Sequence, residues 1–124
     1  MSAVWSARLL SVLRIVAALL FTLHGTAKLT GFPGGRSPVP LASLIGVAGV
    51  LETVGGLLLL LGLFTRPVAL LLAGQMAVAY LIAHAPRGLV PTTNGGELAV
   101  LFGSIFLYLA AAGGGPWSVD AVRR

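Results

Sequence analysis

The chain has 124 residues, 57% of them hydrophobic and only 9% charged, against roughly 25% charged in ordinary soluble domains. With a mean hydropathy of +1.01, a water-soluble fold would have to expose apolar patches larger than monomers tolerate, so a bilayer is the expected solvent. The net charge of +5 comes from Lys and Arg scattered singly apart from Arg123-Arg124, which argues for membrane topology and against nucleic acid, and the absence of cysteine excludes disulfides, thiolate chemistry and Cys-held zinc or iron–sulfur sites.

Apolar runs of a length that crosses a bilayer, about 17 to 25 residues, fall at Leu9 to Leu29, Leu41 to Phe64, Pro67 to Ala83 and Glu97 to Ala112. The expected fold is therefore all-α: an integral membrane four-helix transmembrane bundle, with residues 1–124 as one domain. GFPGGRSPVP, TRP and HAPRGLVPTTNGG separate the spans, their Pro, Gly and Asn content breaking the helices. The first span is too long for a signal-peptide core and is followed by no small-residue cleavage site, so it is read as mature structure. TRP is so short that spans two and three must form a tight hairpin, with Pro67 in the first turn, where a missing N–H costs little.

An even number of spans puts both termini on one side, together with Arg8, Arg14, Arg66, Arg123 and Arg124, while Lys28, Arg36 and Arg87 face the other. The basic excess places the termini in the cytoplasm and the chain in the plasma (inner) membrane as a multi-pass protein.

The first span ends in FTLHGTAKL. At 100° per residue Lys28 lies about 40° and His24 about 80° from Arg14, so the three share one sector, which should face protein. Arg14, nearer the terminal end, is expected to snorkel to the interface as a positive-inside anchor. Glu52 stands near the middle of the second span, where insertion of a carboxylate costs about 2.5 to 3.5 kcal/mol before it finds a partner. It must be protonated, paired or beside water. Gly55 and Gly56, on the turn after it, are expected to admit a close neighbour.

The third span ends at His84 and the fourth starts at Glu97, so His24, Lys28, Glu52, His84 and Glu97 are expected to converge in the outer half of the bundle as a polar cluster for ligand or proton binding. Gln75, Tyr80 and Asn94 are secondary candidates. Asn94-Gly-Gly-Glu97 also has the spacing of a capping box, with Asn94 as the cap and Glu97 reaching back. No metal site is expected. His24 before a break and Glu52, then His84 before a break and Glu97, give a faint internal echo, although the two spacings differ.

Arg14 with HGTAKLTGF, ETVGGLLLLLGLFTR, AHAPRG, NGGELAVLF and GGGPWSVD, in this order over nearly the whole chain, resemble the DoxX family of small bacterial membrane proteins. The resemblance implies four transmembrane helices. It also implies a link to quinone chemistry, since the family name comes from a quinol oxidase system and related proteins form the membrane subunit of thiosulfate:quinone oxidoreductase, while others belong to oxidative-stress assemblies. It assigns no catalytic residue.

Two readings stand side by side. In one the protein is a quinone-linked or redox-stress-associated membrane subunit, with a quinone as cofactor: His24, Lys28 and Glu52 combine hydrogen-bond donors with a proton carrier in a low-dielectric setting. In the other it is a non-catalytic anchor or assembly partner whose buried charges set helix register. A small transporter or proton pathway is a third, weaker reading that calls for a homo-oligomer. The expected partners are the lipid bilayer, a protein of a redox complex and a second copy, but not nucleic acid.

Overall fold

The computed structural model describes residues 2–123. Among these the elements are α1 (Ala3–Thr30), α2 (Leu44–Leu61), α3 (Thr65–Ala79), α4 (Pro91–Asn94), α5 (Glu97–Ala112) and α6 (Val119–Val122), with no strand. Beyond α3 the helical path runs on through a π-turn, Tyr80–His84, and a 3₁₀ turn, Ala85–Arg87. α1, α2 and the path Thr65–Arg87 are long and apolar enough to cross a membrane, and α5 is a shorter apolar helix of 16 residues, about 24 Å at 1.5 Å per residue. The chain is thus an all-helical, membrane-embedded four-helix bundle with two one-turn helices at its ends.

The helix ends follow from local chemistry. α1 starts well before Leu9, because Ser2 caps it by accepting from the Trp5 N–H, and it stops at Gly31. α2 is shorter than expected at both ends: Ser43 accepts from the Gly46 N–H, and Gly62 closes the other end in the left-handed conformation. α3 starts at Thr65 and its helical path outlasts Ala83, since Pro86 falls in the 3₁₀ turn instead of stopping the helix short of it. α5 has the bounds expected of the fourth span.

α1 packs chiefly on α2, and α3 chiefly on α5, with α2 against α3 joining the two pairs. The small contact between α1 and α5 is aromatic. Phe21 meets Phe106 edge-on with ring centres 4.7 Å apart and Phe102 at 5.2 Å, and Leu59, Leu72, Met76 and Leu109 complete the core. The α1–α2 seam is close enough to require glycine. A Cβ on Gly25 would sit 2.5 Å from the Thr53 amide nitrogen, and one on Gly56 would sit 3.0 Å from the Thr22 Cα. Small residues that let backbones approach are the usual means of helix association in lipid, where burial of apolar surface drives nothing. Leu19, Leu20, Leu57, Leu70, Leu71, Leu81 and Leu107 point outward, as a lipid-facing surface demands.

Arg14 does not snorkel. It is 1% exposed, and its guanidinium donates to the carbonyls of Leu59 (2.8 Å), Leu60 (3.5 Å), Trp117 (2.8 Å) and Gly114. The last turn of α2 leaves carbonyls without intrahelical partners and carries the negative end of the helix dipole, and Arg14 answers both while tying down the Gly113–Ser118 segment. Ser11 works alongside: its hydroxyl donates to the Gly114 carbonyl at 3.0 Å and accepts from the Trp117 N–H at 3.1 Å.

A second tie runs from α6. α3 begins after Phe64, which has a left-handed backbone and offers no side-chain cap. Asp120 supplies the cap from across the chain, its two carboxylate oxygens accepting from the Phe64 N–H (2.8 Å) and the Thr65 N–H (2.9 Å). Burial alone would raise the Asp120 carboxyl, but these hydrogen bonds and the nearby Arg123 charge outweigh it and hold the group below the ordinary carboxylate range. A depressed folded value means the stabilisation is present above the ordinary pKa and lost as pH falls through the folded one. Asp120→Ala is expected to cost about 1 kcal/mol at pH 7. The gap from the parent protein should close below about pH 4, measured by unfolding in detergent at both pH values.

Candidate functional site

Glu52 occupies the middle of α2 and is 2% exposed. Lys28, in the last turn of α1, reaches down to it and donates to Oε1 at 2.8 Å and to Oε2 at 2.6 Å. From α3, the Gln75 Nε2 donates to Oε2 at 2.9 Å. Three helices thus meet on one carboxylate. The position follows from the seam below it: Gly25, one turn before Lys28, lies against the backbone at Glu52 and Thr53, which brings the lysine stem alongside α2. Gly55 lets the Leu72 side chain in and so draws α3 up to the same place, its would-be Cβ standing 3.0 Å from Leu72.

The triad is closed on the α2 side and leaves two hydrogen-bonding positions unused. The Lys28 side chain is 34% exposed, and two of the three ammonium hydrogens go to Glu52, which leaves one for another acceptor. The Gln75 Oε1 is buried and has no hydrogen-bond partner. The Gln75 orientation is set by chemistry, because only its NH₂ can donate to a carboxylate. The arrangement therefore offers a free donor and a free acceptor on either side of a buried carboxylate.

The remaining residues of the expected cluster lie elsewhere. His24 is exposed, its ring edge-on to Phe102 with centres 5.8 Å apart, and it makes no hydrogen bond among the described residues. Lys28 and His24 do share a sector of α1, but that sector spans two neighbours: Lys28 turns to α2 and His24 to α5. His84 stands next to Tyr80 with ring centres 6.2 Å apart, and its Nδ1 is buried without a partner. Glu97 is exposed in the first turn of α5 and forms no ion pair among the described residues.

The capping box does not form either. Gly96, with no side-chain acceptor, precedes α5. Asn94 is buried and organises the preceding loop: its amide donates to the Gly88 carbonyl (2.8 Å) and the Tyr80 hydroxyl (3.0 Å), and its carbonyl accepts from the Gly96 N–H (2.9 Å). The Tyr80 hydroxyl in turn donates to the Leu89 carbonyl at 2.9 Å. Tyr80, His84 and Asn94 thus form a second polar group at the loop end, apart from the triad. From the sequence Gln75 ranks only second, since a single amide in a span usually just hydrogen-bonds across helices. The useful signal was its depth, near the middle of the Thr65–Arg87 path and so level with Glu52.

Among the described residues no group of three or more His, Asp or Glu is placed to hold a metal ion.

Comparison with known proteins agrees with this architecture. The chain is 48% identical over 118 residues to an uncharacterized protein of Haemophilus influenzae, covering 90% of this chain and 87% of the relative. It is 31% identical over 124 residues to the inner membrane protein YphA of Escherichia coli, covering 90% and 88%. Against the inner membrane protein YqjF of the same organism the identity is 32% over 118 residues, covering 88% and 87%. No solved structure matches the chain. The DoxX family model matches residues 9–85, the stretch that contains Arg14 and the whole Lys28–Glu52–Gln75 triad, and the chain belongs to the DoxX family.

Proposed function

We propose that the protein is a quinone-linked subunit of the bacterial inner membrane, with Lys28, Glu52 and Gln75 as its headgroup site. One observation carries this reading: a carboxylate buried in mid-span is held by two donors, each of which keeps an unused hydrogen-bonding position. A quinone supplies two-electron, two-proton chemistry from within the lipid phase. Lys28 would donate its remaining N–H to a ring oxygen, Gln75 Oε1 would accept from a hydroxyl of the reduced, quinol form, and Glu52 would hold or release a proton. The test is native mass spectrometry from mild detergent. The parent protein is expected to retain a quinone and Glu52→Gln to lose it with helix content unchanged, because a neutral amide neither takes up nor releases a proton and no longer holds the Lys28 and Gln75 donors as a carboxylate does. A stoichiometric protein partner in place of any quinone would favour the assembly reading. That reading draws on the open groove of about 600 Å³ between α3 and α5, floored by small residues such as Gly74, Ala77 and Gly103.

We also propose that both termini are cytoplasmic. Arg14 is committed to backbone carbonyls and Lys28 to Glu52, so the basic residues left to set topology are Arg8, Arg66, Arg123 and Arg124 on one side against Arg36 and Arg87 on the other. Cysteines at Ser37 and Thr93 should react with an impermeant maleimide on intact cells, and one at Val122, 82% exposed, should react only after lysis. The reverse pattern would invert the topology.

A further inference from the structure

The end of the bundle that carries α6 and the start of α1 combines three features. The first is a pocket of about 440 Å³ between the end of α2 and α6, lined by Leu61, Pro116, Trp117, Ser118, Val119 and Val122. It is a shallow, open depression with a mainly apolar lining, and it includes Trp117, an exposed indole of the kind that marks a membrane–water interface. The second is a set of arginines. The Arg123 guanidinium lies 5.0 Å from the centre of the Phe64 ring and that of Arg8 lies 5.1 Å from the Trp5 ring, while Arg66 lies along Gly113. A cation stacked on an aromatic face keeps its charge directed outward while its stem is held.

The third feature is a shortage of acid. The chain has three acidic residues. Glu52 lies in mid-span and Glu97 at the loop end, which leaves Asp120, and both of its oxygens are occupied by the amides of Phe64 and Thr65. Arg8, Arg66 and Arg123 make no ion pair among the described residues. Among the described residues this end of the bundle is net positive, with the guanidinium groups of Arg8, Arg66 and Arg123 against the single carboxylate of Asp120, and it carries the apolar pocket.

We propose that this pocket binds an anionic phospholipid, with an acyl chain lying against Leu61, Trp117 and Val122 and the phosphate drawn to Arg123, the arginine next to the pocket in the chain, within the field of Arg8 and Arg66. Charge complementarity selects the occupant: a zwitterionic lipid offers the same chain but no net charge to meet three guanidinium groups that outnumber the one carboxylate, Asp120, at this end. A basic residue near a membrane surface strengthens attraction to anionic lipid by roughly fivefold.

The test uses the whole protein in detergent with equimolar dioleoylphosphatidylglycerol and dioleoylphosphatidylcholine, and counts retained lipids by native mass spectrometry. The parent protein is expected to retain the phosphatidylglycerol in preference. Arg123→Gln should reduce that preference about fivefold, and Val122→Trp, which fills the pocket from an exposed position, should reduce retention of both lipids. Circular dichroism confirms that each variant is folded. Equal retention of the two lipids by the parent protein would overturn the proposal. So would an unchanged preference in Arg123→Gln, unchanged retention in Val122→Trp, or displacement of the lipid by inorganic phosphate, since the pocket holds the chain and not the anion alone.

Discussion

Replacement of Arg14 by alanine is expected to cost about 3 to 5 kcal/mol, the largest loss from any single change in the bundle. The guanidinium is enclosed, and its removal strands the carbonyls of Leu60 and Trp117 and leaves those of Leu59 and Gly114 with one donor each, the Gly62 N–H and the Ser11 hydroxyl; a buried carbonyl without a donor costs about 1 to 3 kcal/mol. Arg14→Met should be nearly as damaging. An apolar residue of similar volume often replaces a buried ion pair without loss because both partners can be exchanged together, but here the partners are backbone groups that no substitution removes. Arg14→Lys should recover only part of the loss, since one ammonium cannot reproduce a fork that serves two chain segments. The measurement is unfolding in mixed micelles, paired with protease sensitivity of the Gly113–Ser118 segment. Full stability of Arg14→Met would mean that the carbonyls find other donors and that Arg14 is not the tie described above.

The partners of Arg14 leave no mark in the sequence. A charged side chain in a span prompts a search for an opposite charge, and none lies close to Arg14 in helical register, so an interfacial anchor is the natural alternative. Its real partners are carbonyls at a helix end and in a glycine-rich turn. Every residue type carries a carbonyl, so such partners leave no trace in composition or spacing. Asp120 escaped notice for the same reason: it caps a helix that starts 55 residues earlier in the chain, and capping patterns can be read only when cap and helix are adjacent.

Glu52 was legible because the bilayer leaves it few choices. A mid-span carboxylate needs a cation within reach, and Lys28 was among those expected to meet it. Its partner from α3 was harder to rank, because a neutral amide carries no such obligation. His24 and Glu97 went astray for a geometric reason: a shared sector on one helix does not identify which of two neighbouring helices that sector faces, and only the glycine seam between α1 and α2 settles it. The spans themselves could be read from apolar run lengths alone. Their exact ends depend on Ser2, Ser43 and Gly62, short-range caps that the run lengths ignore.

Substitution of Glu52 should separate structure from chemistry in the triad. Glu52→Ala leaves the Lys28 ammonium without its carboxylate and the Gln75 amide without its acceptor, and also opens a cavity at the meeting point of three helices. The expected cost is about 3 kcal/mol, the lower end for a broken buried pair, because Lys28 is 34% exposed and can withdraw its charge toward the loop end. Glu52→Gln keeps the volume, and its carbonyl can accept from Lys28, so the loss should be about 1 to 2 kcal/mol. Lys28→Met in the Glu52→Gln background removes the remaining cation, and should bring stability back toward that of the parent if the penalty in Glu52→Gln comes from a lysine held against an amide. Unfolding of the parent, Glu52→Gln, Lys28→Met and the double variant in mixed micelles closes a double-mutant cycle between Lys28 and Glu52. A coupling energy near zero, with Glu52→Ala as stable as the parent, would show that the carboxylate is not held by Lys28 in the membrane, and the triad would lose its claim to be either a helix lock or a site.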